Sequence, residues 1–242
     1  MVLPDVLMAA AVLVGAAGSA CVVVLVDRPE PGPVVSQVVR VVDAGAVEVR
    51  EGDRVVTVKL ANVVAPAADE CLYAESRKFL GELLPEGTPV TVEWDGALAA
   101  LSTQDGLVNA AVVGEGLAVP TAEGTRFLDA VKRANNSAVE LRKGLHSPEV
   151  PCTLPGRVKA ITDAAAVVEA QSLRAGRTEL TVAADTAKSA IGLVEQLAKP
   201  GGLTWDAVAP VEQTVLLSKV TKAVPTLYRK EAELRNVVKG LR

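Results

Sequence analysis

The chain has 242 residues, half of them hydrophobic, enough for one or two domains with a buried core. Its apolar half is dominated by Val and Ala, with six aromatics in all (Tyr73, Phe79, Trp94, Phe127, Trp205, Tyr228), too few for a platform that stacks successive bases of a single strand. A formal charge of -4 removes the net positive field that drives non-specific nucleic-acid affinity, so nucleic acid is not the expected partner.

The first element is the uncharged run from Val6 to Val26, bracketed by Asp5 and Asp27. As a helix it would reach about 31 Å at ~1.5 Å per residue, the thickness of a bilayer core. Small residues at Gly15 and Ser19 offer a thin flank for packing against another helix. No basic residue precedes the run and it exceeds a usual signal-peptide core, so it reads as an uncleaved single-pass anchor within residues 1–27. A lipoprotein signal ending at Cys21 fits less well, because Gly18 stands where an aliphatic residue is wanted. Arg28 and Arg40 follow the run with no Lys or Arg before it, which places the body on the cytosolic or matrix side.

Residues 28–33 hold three prolines (Pro29, Pro31, Pro33) and form a stiff, extended spacer. From Val34 the pattern alternates as three β-runs, with Glu51-Gly52-Asp53 as the turn between the second and third. Helical spacing of Leu72, Ser76, Phe79, Leu80 and Leu83 predicts a helix over 68–84, stopped at Pro85-Glu86-Gly87. A fourth strand carries Val90, Val92 and Trp94 on one face. A helix starting at Val108 closes near Gly114 to Gly116, and an amphipathic helix spans 126–143.

Residues 148–242 read as a mostly helical extension. Val158, Ile161, Ala165, Val168 and Ser172 make one stripe over 157–174, and Leu180, Ala184, Ala187, Ile191, Val194 and Ala198 another over 179–199. Such small-residue stripes bury little area at about 25 cal/mol per Å², so the extension is expected to need neighbours rather than build its own core. Helices at 211–224 and 226–241 are expected to be separated by Pro225. The stretch 219–242 carries Lys219, Lys222, Arg229, Lys230, Arg235, Lys239 and Arg242 against Glu231 and Glu233. It reads as a solvated face or as a contact for anionic lipid or an acidic subunit.

Cys21, Cys71, Cys152 and His146 are too scattered for a zinc site. Without CxxC spacing the cysteines read as free thiols, with a Cys71–Cys152 pair open only to a body in oxidising surroundings.

The order of elements, together with VVDAGAVEV, VKLANVVAP, YAESRKFLGELLPEGTPVTVEWD, VNAAVVGEGLA and KRANNSAVELRKGLHS, resembles the staphylococcal nuclease-like (thermonuclease) domain over residues 34–147. That resemblance implies an α+β fold: an OB-fold barrel with packed helices, behind the transmembrane helix and ahead of the helical arm. Active members of the family carry DGDT in the first hairpin, an Arg in the third strand, an Asp and a Glu around the VDxPE turn, and a second Arg further on. Here the hairpin reads Asp43-Ala44-Gly45-Ala46, and the strand arginine falls on Lys59. Val64 and Ala67 replace the second metal ligand and the glutamate, and Ala97 to Ala100 holds no base. Calcium wants six to eight oxygens, and only Asp43 persists. Lys59 offers a point charge in place of a bidentate fork. Asp43 and Lys59 therefore read as surface charge, or as a residual anion site.

The expectation is a catalytically dead barrel with no catalytic residue, metal or cofactor, acting as an accessory or scaffold subunit of a membrane complex. Its partners would be other subunits and the bilayer. By analogy with machines that collect small single-span subunits, a mitochondrial inner-membrane respiratory-chain assembly comes first and a bacterial envelope complex second. Two alternatives stand beside it: a divergent, membrane-tethered calcium-dependent nuclease, and a tether binding nucleic acid or anionic lipid through 219–242.

Overall fold

A computed structural model describes residues 34–241. The expected anchor (6–26) and the whole of the proline spacer (28–33) lie outside the described residues. Among those described, no helix is long and apolar enough to cross a membrane.

Alternation of apolar and polar residues makes β1 (Val34–Asp43), β2 (Ala46–Glu51) and β3 (Arg54–Leu60) into an antiparallel meander. Glu51 pairs with Arg54 across a two-residue turn, where Gly52 adopts φ 59°. Two register shifts in β1, at 38/40 and 41/43, bend it enough to pair with β2 along most of its length and with β5 (Pro89–Asp95) at its start. The chain makes β4 (Val63–Val64) and α1 (Tyr73–Leu83) before β5, then β6 (Leu98–Thr103) and β7 (Gly106–Leu107). β6 runs antiparallel to β5 and parallel to β3 through Lys59↔Leu98 and Leu60↔Ala99. That parallel pairing closes five strands, in the order β1-β2-β3-β6-β5, into a mixed barrel consistent with an OB-fold.

Val47, Val49, Val58, Val92 and Leu101 fill the barrel, and Leu80 and Leu84 plug one end from α1. α2 (Val108–Gly114), β8 (Val119–Pro120), α3 (Leu128–Glu140) and a 3-10 turn (Gly144–His146) follow. At the α2 exit, Gly116 and Gly144 adopt φ 67° and 49° and lie so close that a Cβ on Gly116 would stand 2.3 Å from the Lys143 carbonyl oxygen. Only glycine allows this crossing. Asn109 on α2 fastens the barrel seam. Its Oδ1 accepts the Leu101 N–H at 2.9 Å, while Nδ2 donates to the carbonyls of Ala61 at 2.8 Å and Ala99 at 3.1 Å.

The extension differs from expectation in having its own core. α4 (Leu154–Ala170), α5 (Arg177–Leu197) and α7 (Pro210–Gly240) pack pairwise around Ile161, Val168, Leu180, Ala187, Leu227 and Leu234. Each stripe is narrow, but three of them face one another, and the alanines of α5 allow close approach. The expected break at Pro225 does not occur: α7 runs 31 residues through it. Pro225 is exposed, while Ala223 and Leu227 on either side are buried in the bundle, so packing outweighs the lost backbone bond. α6 (Leu203–Asp206) sits between the two cores, with Leu203 in the barrel cluster and Trp205 in the helical one.

The sequence reading also missed β6 and placed the start of α1 too early. The helix begins at Tyr73, because Leu72 takes φ 66° and Cys71 is bonded through its sulfur to Cys152.

Replacing Asn109 by Ala strands the Ala61 carbonyl and the Leu101 N–H in the barrel, the Ala99 carbonyl keeping the Ala61 N–H, which should cost about 3 kcal/mol. For a body of this size the melting temperature should fall by roughly 6–12 °C in a thermal melt. A fall below about 2 °C would show that the seam does not depend on Asn109.

Candidate functional site

Of the residues that the nuclease resemblance assigns, Asp43, Gly45 and Lys59 meet around one hairpin tip. β1 ends at Asp43, which pairs with Ala46 across Ala44-Gly45. Asp43 is exposed, and its Oδ1 accepts the Ala44 N–H at 2.8 Å. Gly45 lends its carbonyl to the Leu60 N–H at 3.0 Å, and Ala46 sits opposite Lys59. Lys59, also exposed, lies beside Leu98 across the parallel seam. Gly45 also approaches the following turn so closely that a Cβ there would stand 2.9 Å from the Ala65 Cβ. The space an acidic side chain would need at position 45 is thus taken by Ala65.

Val64 and Ala67 are placed differently. Val64 belongs to a separate two-stranded sheet, paired with Val119 and 44 % exposed. Ala67 begins a turn in which its N–H is taken by Glu70 Oε2 at 2.9 Å. Ala97 occupies the tight turn between Asp95 and Leu98, and Leu98 is 40 % exposed. The hairpin tip and its surroundings therefore present Gly45, Ala46 and Leu98, with one carboxylate and one ammonium. Calcium needs several carboxylate or carbonyl oxygens at 2.3–2.6 Å, and the side chains at 45, 64 and 67 supply none. The residues do not fit that ion. Among the described residues, no group of three or more His, Cys, Asp or Glu side chains is placed to hold a metal.

Glu70, unremarked in the sequence, links this turn to the helical arm. Its Oε2 holds Ala67, and its Oε1 accepts the Leu203 N–H at 3.1 Å, at the start of α6. An acid reaching back three residues to a backbone N–H resembles half of a capping box, the one local signal that could have marked it. Next to it, Cys71 bonds Cys152, which corrects the free-thiol expectation. A loop of this length corresponds to about 4–5 kcal/mol in the chain-entropy picture, with 2–4 kcal/mol more typical. Asn62, buried at φ 62°, holds the other side of the turn. Its Oδ1 accepts the Thr125 N–H at 2.8 Å and its Nδ2 donates to Thr125 Oγ1 at 2.7 Å.

A recess of about 380 Å³ lies between the 3-10 turn, α4 and α7, lined by Arg142, His146, Glu149, Lys159, Glu212 and Lys219 among others. Charges of both signs line it, which does not select a ligand. His146 is buried, its Nε2 has no hydrogen-bond partner, and burial pushes its imidazole below the ordinary value. The basic end of α7 is partly paired with acidic side chains, mostly at the bundle surface. Arg229 pairs with Glu169 at 2.6 Å, Arg235 with Asp185 at 3.2 Å and also with Glu231, and the buried Lys230 lies 3.4 Å from Glu233.

No family model matches this chain, and a search of curated proteins returns no match.

Two outcomes are expected. Gly45→Asp should lower the melting temperature by several degrees through overpacking of about 1–3 kcal/mol, and Ala65→Gly in the same chain should recover most of the loss. An unaltered melt for Gly45→Asp alone would contradict the close approach. For His146, the folded protein resists protonation that the unfolded chain accepts, so stability falls as pH drops from about 6.5 towards the lower folded value. His146→Gln, neutral throughout, should lose less stability than the wild type between pH 7 and pH 5 in parallel melts. Equal losses would show that His146 titrates normally.

Proposed function

We propose that residues 34–147 are a degenerate staphylococcal nuclease-like domain without nuclease activity. In this proposal residues 6–26 anchor it in a membrane, and it serves as an accessory or scaffold subunit of a larger membrane complex. The order of three strands, helix and two strands, closed by parallel pairing of the third and fifth, supports the family reading. The observation that carries the loss of activity is the contact between Gly45 and Ala65, which fills the place of a metal-binding side chain. Phosphodiester cleavage asks for preorganised charge at the reacting phosphate, and losing one such donor already costs about 10²–10³ in rate. Here Val64 and Ala67 stand at the second ligand and the glutamate, Lys59 at the strand arginine, and Ala97 to Ala100, where the second arginine would lie, holds no base.

A tether for nucleic acid or anionic lipid at 219–242 finds less support, because three of its seven basic residues, Arg229, Lys230 and Arg235, already have acidic neighbours on the bundle. The partner class is other subunits of a membrane assembly. No residue of the chain favours a mitochondrial respiratory assembly over a bacterial envelope complex.

The full chain, extracted in mild detergent, should migrate with other proteins and leave DNA and RNA uncut with calcium present, Asp43→Ala behaving as wild type. Migration as a lone monomer would remove the scaffold reading. Calcium-dependent cleavage abolished by Asp43→Ala would replace it with the nuclease.

A further inference from the structure

Cys71 and Cys152 are 81 positions apart, yet their Cα atoms lie 5.6 Å from each other with the sulfurs bonded. Cys71 is in the turn held by Glu70, between β4 and α1. Cys152 immediately precedes Thr153, whose hydroxyl caps α4 by accepting the Gly156 N–H at 3.0 Å. Both cysteines are only half-buried, so each sulfur is within reach of an exchanging partner. They are the only two cysteines among the described residues, so the pairing has no competitor there.

We propose that Cys71 and Cys152 form an oxidative modification site, filled by a dithiol-disulfide oxidoreductase, and that the body consequently matures on the oxidising side of its membrane. One cysteine thiolate attacks the enzyme's disulfide and forms a mixed disulfide, expelling one enzyme thiolate. The second cysteine thiolate then displaces the other enzyme sulfur. Two protein thiols are oxidised, one enzyme disulfide is reduced, and the two protons released from the protein thiols are balanced by the two taken up as the enzyme dithiol forms. Cytosol and matrix hold structural thiols reduced through glutathione and thioredoxin, whereas periplasmic and extracellular surroundings allow such bonds to persist.

The bond has a structural task that suits this setting. It ties the turn beside the barrel mouth to the first residues of the helical arm, where Glu70 and Leu203 make a second fastening. The orientation expected from Arg28 and Arg40 rests on two charges. A bonded pair of cysteines 81 positions apart is the weightier observation, and it points to the opposite side. The choice of side rests on the reading of 6–26 as an anchor, whereas the oxidation does not.

The test uses the full chain with Cys21→Ser, expressed in bacterial cells that are acid-quenched and treated with a polyethylene-glycol maleimide. The expected result is no addition before reduction and two additions after it. Two additions without reduction would overturn the proposal. In parallel, protease is added to intact spheroplasts, and the body is expected to be digested while bound to membranes. A membrane-bound but protected body would overturn the choice of side. A body released to the soluble fraction with its disulfide intact would instead remove the anchor reading and leave the oxidation standing.

Discussion

The short segment from Asn62 to Leu72 ties the barrel to the rest of the body. Asn62 fixes its entrance to the loop before α3, Glu70 spans from Ala67 to the start of α6, and Cys71 is bonded to the residue before the α4 cap. The Asn62 and Glu70 hydrogen bonds satisfy backbone N–H groups that a turn of this kind would otherwise leave to solvent. Together they hold Leu203 in the barrel core while Trp205, two residues on, enters the helical core. Two hydrophobic clusters separated along the chain are thereby joined into one compact body.

The same segment also sets what surrounds the hairpin tip. In a metal-dependent nuclease the hairpin and the following turn would converge as oxygen donors. Here they converge as glycine against alanine, with the Ala67 N–H committed to Glu70. Asp43 is left with its own neighbour's N–H, and Lys59 stands exposed beside Leu98.

Much of the barrel was legible because its strands alternate Val with polar residues and its turn at Gly52-Asp53 carries glycine. β6 was not, since Leu98-Ala99-Ala100-Leu101 does not alternate: Ala99, Ala100 and Leu101 are buried in succession and alanine has weak strand propensity. The start of α1 was masked by long-range causes: a disulfide 81 positions away and a left-handed Leu72 are invisible to helical periodicity. The helical core escaped notice because alanine stripes look poor one at a time and bury well only against each other. Pro225 misled for the same reason, a local penalty being outweighed by buried neighbours on both sides. At the hairpin tip, the missing acids could be read at once from residues 43–46, 64 and 67. The filling of position 45 by Ala65 could not, because it depends on how two loops approach.

Whether the hairpin tip retains any grip on a divalent ion is answered most directly by melting the full chain across a calcium titration from zero to millimolar. A ligand at a hundred times its dissociation constant stabilises a fold by about 2.7 kcal/mol, a shift of several degrees. An unmoved melting temperature is the expected result. A calcium-dependent rise that disappears on replacing Asp43 by Ala would contradict the loss of the site.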